Sequence, residues 1–496
     1  MKKVIIVGGG ISGLAAGVHA LKAGYKPLIV EKNHSAGGLC TAWDRQGMHI
    51  DGCIHWMTGT NPHTSVYHEW KKAGGIRDDQ EFIYLPNWGS YKYEGTTITF
   101  WKDLDRTEKE WSEISPQDSK RIHRFIKMVK KIESVDLPLD APAILLPWKI
   151  KWKFFLQLLK VWPTYLFSMK KSCEGYAKKF KHPSLRWAIS HAQPGKGNLY
   201  SMVFSYATIA SGNGGIPKGG SLTLVNNMLS YYLENGGEIL FNSEVVDFRF
   251  NEENDEIQSI ILKNGKEIFG DTFITCLDSN HVLINLLHNK FTHKKIVKRY
   301  REPAVHPAPS CVLINYKIPA SIDINNPTNF AIAPFKLGNK IIDHMNMRSY
   351  RYDDYFIKDG FTVLQVLLDQ DSTDYTFWEE LGKNREKYLR FKDELAEKIK
   401  NIIIEDNEIF RDNIELLDVA TPLTLHRYVN ASRGSYMSYL FNQKKMVINT
   451  KGKIKGIKNL LLSGQYVQTP GGLPLALASG SFSIKWLQHE DKKHSK

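Results

Sequence analysis

The chain has 496 residues, 42% apolar and 24% charged, a composition that excludes a disordered chain and is too long for one ordinary core. Its five cysteines (Cys40, Cys53, Cys173, Cys276, Cys311) lack CxxC or metal spacing, which argues against a disulfide frame and a zinc site and for a reducing, cytoplasmic setting with no metal. The formal charge of +14 admits nucleic acid or anionic lipid as a partner, but no nucleic-acid module is present.

Met1-Lys2-Lys3 runs directly into an apolar strand, which leaves no room for a cleavable signal, and no uninterrupted apolar run is long enough to span a bilayer. The strand, Val4-Ile5-Ile6-Val7, enters the turn Gly8-Gly9-Gly10-Ile11-Ser12-Gly13. Gly8 permits the tight turn, Gly10 lets a pyrophosphate approach the backbone, and Gly13 lets the next helix pack closely on the sheet. That helix, predicted over Ser12 to Ala23, aims free N–H groups and a positive dipole end at the phosphates through Ile11 and Ser12. Gly24 stops it. A second apolar strand, Leu28-Ile29-Val30, ends on Glu31, where a carboxylate accepts hydrogen bonds from an adenosine ribose, with Lys32 beside it. This is a dinucleotide-binding βαβ unit.

A second glycine pair, Gly37-Gly38, follows with Leu39 and Cys40, and then Asp51-Gly52-Cys53-Ile54-His55-Trp56. Within the following insertion, residues 141–181 interleave aromatic and aliphatic side chains with lysines. On an ideal helix Trp152, Phe155, Leu156, Leu159 and Trp162 share an arc with Trp148, while Lys149, Lys153, Gln157 and Lys160 lie opposite. That pattern fits a helix lying in an anionic membrane interface. The preferred, plainer reading is a lid helix packed on the substrate domain with its lysines solvated. Gly212-Asn213-Gly214-Gly215 reads as a turn.

Gly219-Gly220-Ser221 opens a helix ending at Gly236-Gly237, and strands follow at 238–241, 244–248, 257–262 and 272–276. The second of these strands carries Val245 and Val246. Strands at 311–316 and 362–368 and one helix from Trp378 to Ile404 are predicted next. The C-terminal block is a strand, 459–462, closing on Ser463-Gly464, then Thr469-Pro470-Gly471-Gly472-Leu473-Pro474 and a small-residue helix started by its proline. Residues 490–496 read as a frayed tail. A second glycine pair after the acid, and a glycine motif at the far chain end, are needed by a long flavin and not by NAD alone. FAD is therefore the expected cofactor.

On Gly8–Gly13, Glu31, Gly37-Gly38, Asp51-Gly52, Pro217-Lys218-Gly219-Gly220, Thr421-Pro422-Leu423-Thr424 with Arg427-Tyr428 and Gly434, and the block from Gly464 to Gly480, the chain resembles the phytoene desaturase, carotenoid isomerase and retinol saturase group of FAD-dependent oxidoreductases, which is related to the flavin amine oxidases. Leu39 departs from the arginine or asparagine usual in that group. The fold class expected is α/β, a discontinuous Rossmann-type FAD domain (1–75, 215–285, 445–496) with an α+β substrate domain (76–214, 286–444) and a helical lid. The resemblance implies that the backbone at Val245-Val246 holds the adenine, and it implies redox chemistry at carbon–carbon bonds of an extended, lipid-like substrate: desaturation, saturation or isomerisation.

His55 is the candidate that moves a proton during that chemistry, and the bland alternative is a histidine bonded to backbone. Trp56 walls the flavin or is simply core. Arg427 and Tyr436, with Tyr428, are candidates for orienting a polar end group, Arg427 equally for a structural ion pair. His191 and the run Ser205-Tyr206 to Gly215 are candidate pocket lining. Cys40 reads as a passive neighbour of the cofactor. Two other functions compete: a flavin amine oxidase, whose cationic substrates a basic protein attracts poorly, and a non-catalytic flavin-bound protein that docks on membranes or partners. No pattern sets an oligomeric state.

Overall fold

The computed structural model describes residues 1–193, 197–324, 327–440, 451–468 and 470–494. Thr469, the expected domain boundary at 444/445 and residues 495–496 lie outside the described residues. Apolar runs too rich in valine and isoleucine to show one polar face form a fully buried parallel sheet. Its order is Glu238–Leu240, Lys26–Val30, Lys3–Val7, Thr272–Thr275 and Leu460–Leu462, five strands drawn from both ends and the middle of the chain. Strand alternation sends Val4, Ile6, Ile29 and Ile274 to one face, under the helices Ile11–Lys22, Ser221–Glu234 and Leu473–His494. Ile5, Val7, Val30 and Phe273 go to the other, against the antiparallel strands Val245–Phe250 and Ile257–Leu262. The tail expected to fray is helical through His494.

A seven-stranded sheet carries the second half of the molecule, in the order Glu415–Ala420, Pro309–Pro319, Phe361–Asp371, Lys340–Ser349, Thr328–Leu337, Asn87–Tyr93, Thr96–Trp101. The last two strands come from the first insertion and the others from the second, joined by a parallel pairing of Thr328–Phe330 with Ser90–Lys92. One face packs through Val312, Ile314 and Tyr316 on Trp378, Leu395, Ile399 and Ile403. The helix predicted from Trp378 to Ile404 is two helices, Tyr375–Gly382 and Arg385–Asp406, because the Asn384 side chain accepts the Lys387 N–H and starts a new one.

The residues between Leu104 and Ala210 form a helical cluster around Trp111, Phe125 and Tyr206 against the Asn87–Trp101 hairpin. Gly212-Asn213 turns as expected, but Gly214–Pro217 is a buried strand that pairs with Met57–Thr58 and Phe82–Ile83. Among the described residues no helix is long and apolar enough to cross a membrane.

Candidate functional site: a dinucleotide cradle opening into an apolar chamber

The first glycine turn is held by close approach. Gly8 has φ +103° and donates its N–H to the Val30 carbonyl at 2.8 Å. A Cβ on Gly13 would run into the Gly8 carbonyl oxygen, and one on Gly480 into the Ser12 carbonyl oxygen. The C-terminal helix thus lies flush on the first helix. Ser12 Oγ sits 2.8 Å from Ser463 Oγ and 3.2 Å from Ser479 Oγ, while the Gly464 N–H donates to Ser479 Oγ at 2.8 Å. These contacts tie the two chain ends at one spot.

Glu31 is buried, and its oxygens accept the N–H groups of Gly9 (2.7 Å) and Asn33 (2.8 Å). An ionised carboxylate offers about four lone-pair sites, so capacity for ribose hydroxyls remains. The second glycine pair closes over the first turn, with the Gly37 N–H donating to the Gly9 carbonyl at 3.0 Å. Neither the Ile11–Lys22 helix nor the Leu473–His494 helix has an acid in its first turn, and Gly10, Ile11, Ser12, Gly471, Gly472 and Leu473 all line the same cavity. Two positive helix ends therefore face it. Glycine positions that a side chain would block, with two helix N-termini facing the same space, fit a dinucleotide.

Asp51 fixes the next loop. Its carboxylate accepts from Ser221 Oγ (2.6 Å), Ser221 N–H (2.7 Å), Cys53 N–H (2.9 Å) and Ile54 N–H (3.3 Å). From the seven-stranded sheet, the buried Arg348 donates to the Ile54 carbonyl (3.0 Å), Tyr350 (2.9 Å) and Gln365 (3.1 Å). Tyr350 and Gln365 in turn donate to the Asp51 carbonyl. His55 lines the cavity beside this cluster. Burial, reinforced by the Arg348 charge, holds its imidazole well below the usual histidine range, so it is neutral at physiological pH. A hydrogen bond with Cys53 and burial push the Cys40 thiol well up, which agrees with a passive role.

One cavity of about 1590 Å³ connects these parts. Ordinary ligand pockets span roughly 300–1,000 Å³, so this one has room for a cofactor and a second molecule. Of the residues singled out above, Gly8, Gly10, Ile11, Ser12, Glu31, Lys32, Gly37, Gly38, Leu39, His55, Trp56, Val245, Gly464, Gly471, Gly472 and Leu473 line it, as do Arg427, Tyr436, His191 and Ser205. Gly13 does not, since it serves packing. Val246 does not either: a register shift between Val245 and Asp247 leaves it 39% exposed on the far side of its strand.

Arg427 and Tyr436 stand in different surroundings. The Arg427 carbonyl accepts from Lys32, and the Tyr428 carbonyl from Asn33, so the helix Pro422–Val429 belongs to the Glu31 end of the cavity. Tyr436 packs on Cys311, Leu313 and Ala420 of the large sheet. Burial pushes its phenol well above the ordinary value. Tyr206, expected in the lining, is core, 2.7 Å from Thr107 Oγ1. Asp51 appeared in the sequence only within a motif, and Arg348 carried no signal beyond its alternation with apolar strand neighbours.

Residues 6–73 match the NAD(P)-binding Rossmann-like domain family. Over 97% of this chain and 95% of the relative, the sequence is 22% identical to the 4,4'-diaponeurosporene oxygenase of Staphylococcus haemolyticus. This is an oxidoreductase, similar to the carotenoid desaturase group. The fold is also that of an oxidoreductase from Methanosarcina mazei (13% identity, TM-score 0.57, covering 98% of this chain and 100% of that one). A putrescine oxidase redesigned in its cofactor binding shares it too (13% identity, TM-score 0.56, 99% of each chain). These likenesses agree with the expectation drawn from the glycine motifs, an oxidoreductase on a Rossmann-type α/β fold.

The chamber beyond the cradle is walled by the helix Trp148–Met169. Phe154, Leu158, Tyr165 and Met169 face the cavity. The aromatic arc expected to pack inward as a lid faces out instead: Trp148 is 69% exposed, Leu159 52% and Trp152 50%. The helix has apolar residues on both sides, so burying one side leaves the other uncovered.

Proposed function

We propose that the protein is an FAD-dependent oxidoreductase acting on carbon centres of an extended, apolar, carotenoid-like substrate. The observation that carries this reading is the single cavity running from the glycine cradle to an apolar chamber. The full-length likeness to a 4,4'-diaponeurosporene oxygenase supports the substrate class. The residues that would hold FAD are Gly8–Ser12, Glu31, Lys32, Gly37–Leu39 and Val245 at the nucleotide end, with Gly464 and Gly471–Leu473 toward the flavin. When bound, FAD supplies hydride acceptance or donation at a carbon centre.

The chain does the rest. Leu158, Phe154, Leu313 and Leu367 line an apolar wall that orients a hydrocarbon and excludes water. His55, the candidate for proton transfer, is neutral and takes a proton only against its burial and the Arg348 charge, while the Asp51–Arg348 cluster holds its loop in place. The exposed arc of Trp148, Trp152, Phe155 and Leu159, flanked by lysines on a basic protein, supports docking on an anionic membrane, where such substrates dissolve. Trp162, both exposed and part of the cavity lining, supports a route for substrate from bilayer to chamber.

The test is anaerobic mixing of the FAD-loaded protein with fractionated apolar lipids, following flavin absorbance and product mass. Bleaching with loss of a hydrogen pair from one fraction marks desaturation, gain by a reduced enzyme marks saturation, and altered retention at constant mass marks isomerisation. A protein that takes up no FAD, or a flavin indifferent to every apolar fraction but bleached by amines, overturns the reading.

A further inference from the structure

A second cluster in the chamber wall lies outside the cofactor machinery. His191 ends the helix Pro183–His191, His344 and Asp343 lie on the strand Lys340–Ser349, and Asp369 lies on the neighbouring strand. His191, His344 and Asp369 all line the cavity. The two imidazole rings are 4.6 Å apart. Asp343 bridges them, with Oδ1 2.7 Å from His344 Nδ1 and Oδ2 4.0 Å from His191 Nε2. Asp369 Oδ2 is 3.7 Å from His344 Nε2. One ligand atom from each of His191, Asp343 and His344 falls within 4.8 Å of the others.

The tautomer of His191 is fixed by its neighbours. Its Nδ1 lies 2.8 Å from the Trp187 carbonyl, which can only accept, so Nδ1 carries the hydrogen. Trp187 also stacks on the ring at 4.6 Å and sets its plane. The remaining lone pair, on Nε2, is turned toward the Asp343 carboxylate. A lone pair opposed to an anion calls for a donor or a cation near both. An Nδ1–H bond to a backbone carbonyl is also the partner that orients metal-binding imidazoles. Among the described residues no lysine or arginine forms an ion pair with Asp343 or Asp369; His344, 2.7 Å from one and 3.7 Å from the other, is the group paired with both, and a bound ion would take the place of its proton.

We propose that His191, His344 and Asp343 form a binding site for a divalent first-row transition ion, with Asp369 as its outer partner. Two imidazoles and a carboxylate are a ligand set used for zinc and ferrous iron. Asp343 is half exposed and can swing to close the present ligand spacing. His191 and His344 line the chamber, where an oxygen-bearing end of a bound molecule could reach an ion that they held.

The experiment is equilibrium dialysis of untagged, FAD-loaded protein against Zn²⁺ and, separately, Mn²⁺, with elemental quantification. The expected result is about one Zn²⁺ per chain, weakened at least ~10-fold by H191A and by D343N, and unchanged by H123A, which removes a surface histidine paired with Glu108. Flavin content and melting temperature identify any variant that misfolds. For that case, paramagnetic resonance of Cu²⁺ on the unaltered protein reads imidazole nitrogen coupling directly. Binding below a tenth of an equivalent, binding indifferent to H191A and D343N, or a copper spectrum without nitrogen coupling overturns the proposal.

Discussion

The cofactor cradle and the substrate chamber are two ends of one cavity, yet they are built on different principles. The cradle is made of backbone: glycines 8, 10, 13, 37 and 480 let chain segments touch, and helix ends supply N–H groups. The chamber is made of side chains carried by a sheet whose strands come from both insertions. A backbone site tolerates almost no added atom, because the neighbour that would have to move is itself main chain. A side-chain site can re-pack when one residue changes. Under the proposed function, binding of a fixed cofactor and accommodation of a long, variable hydrocarbon make opposite demands, which the two ends would answer separately.

That contrast breaks if substitutions at the two ends cost the same. The largest effect is expected from G13V and G480V, whose added atoms collide with main-chain oxygens. Each should cost more than the ~1–3 kcal/mol of ordinary overpacking, read as lost flavin retention and a lowered melting temperature. Next comes D51A, which strips the N–H groups of Ser221, Cys53 and Ile54 of a charged acceptor. About 3–5 kcal/mol is expected in denaturant unfolding, with brighter flavin fluorescence as the His55 loop loosens.

A smaller, pH-dependent effect belongs to His19 on the back of the first helix. Burial lowers its pKa from 6.5 to about 4, with the charges of Lys22, Lys485 and Lys72 adding to the shift. The unfolded chain therefore binds a proton that the folded one refuses. Stability contributed by neutral His19 is full above pH 6.5 and is lost as pH falls toward 4, by about 3 kcal/mol at most. H19Q should flatten the melting temperature over that range, and an unchanged slope refutes the assignment. The smallest stability change, within about 0.5 kcal/mol, is expected from the exposed pair W152S/F155S. That variant should nonetheless lose binding to anionic vesicles in sedimentation while keeping its flavin, whereas L158A, facing the cavity, should keep vesicle binding and slow substrate turnover.

Much of the cradle was legible in the sequence because its requirements are local. Gly8, Glu31 and Gly37-Gly38 all fall within residues 8–38, and each is the residue type its position demands. The Gly471–Leu473 helix start was legible for the same reason, a proline in the first turn after a glycine pair. Other features depend on distant partners. Gly480 reads as one more small residue until Ser12 is seen against it, and Val246 is displaced by a bulge that no alternation pattern shows. For the aromatic arc at 148–162, sequence periodicity located the face correctly but gave no means of knowing which side the rest of the chain would cover.

By itself, the order of residues determined the βαβ turn, the acid at its second strand and the existence of a large apolar insertion, since these follow from backbone sterics and short-range periodicity. Tertiary structure alone decided that Arg348 clamps the Asp51 loop, that Arg427 stands with Lys32 rather than with Tyr436, and that His191 meets His344. Each of those pairings joins residues from different segments of the chain. Their meeting is fixed by how strands and helices pack, not by any preference that one segment carries alone.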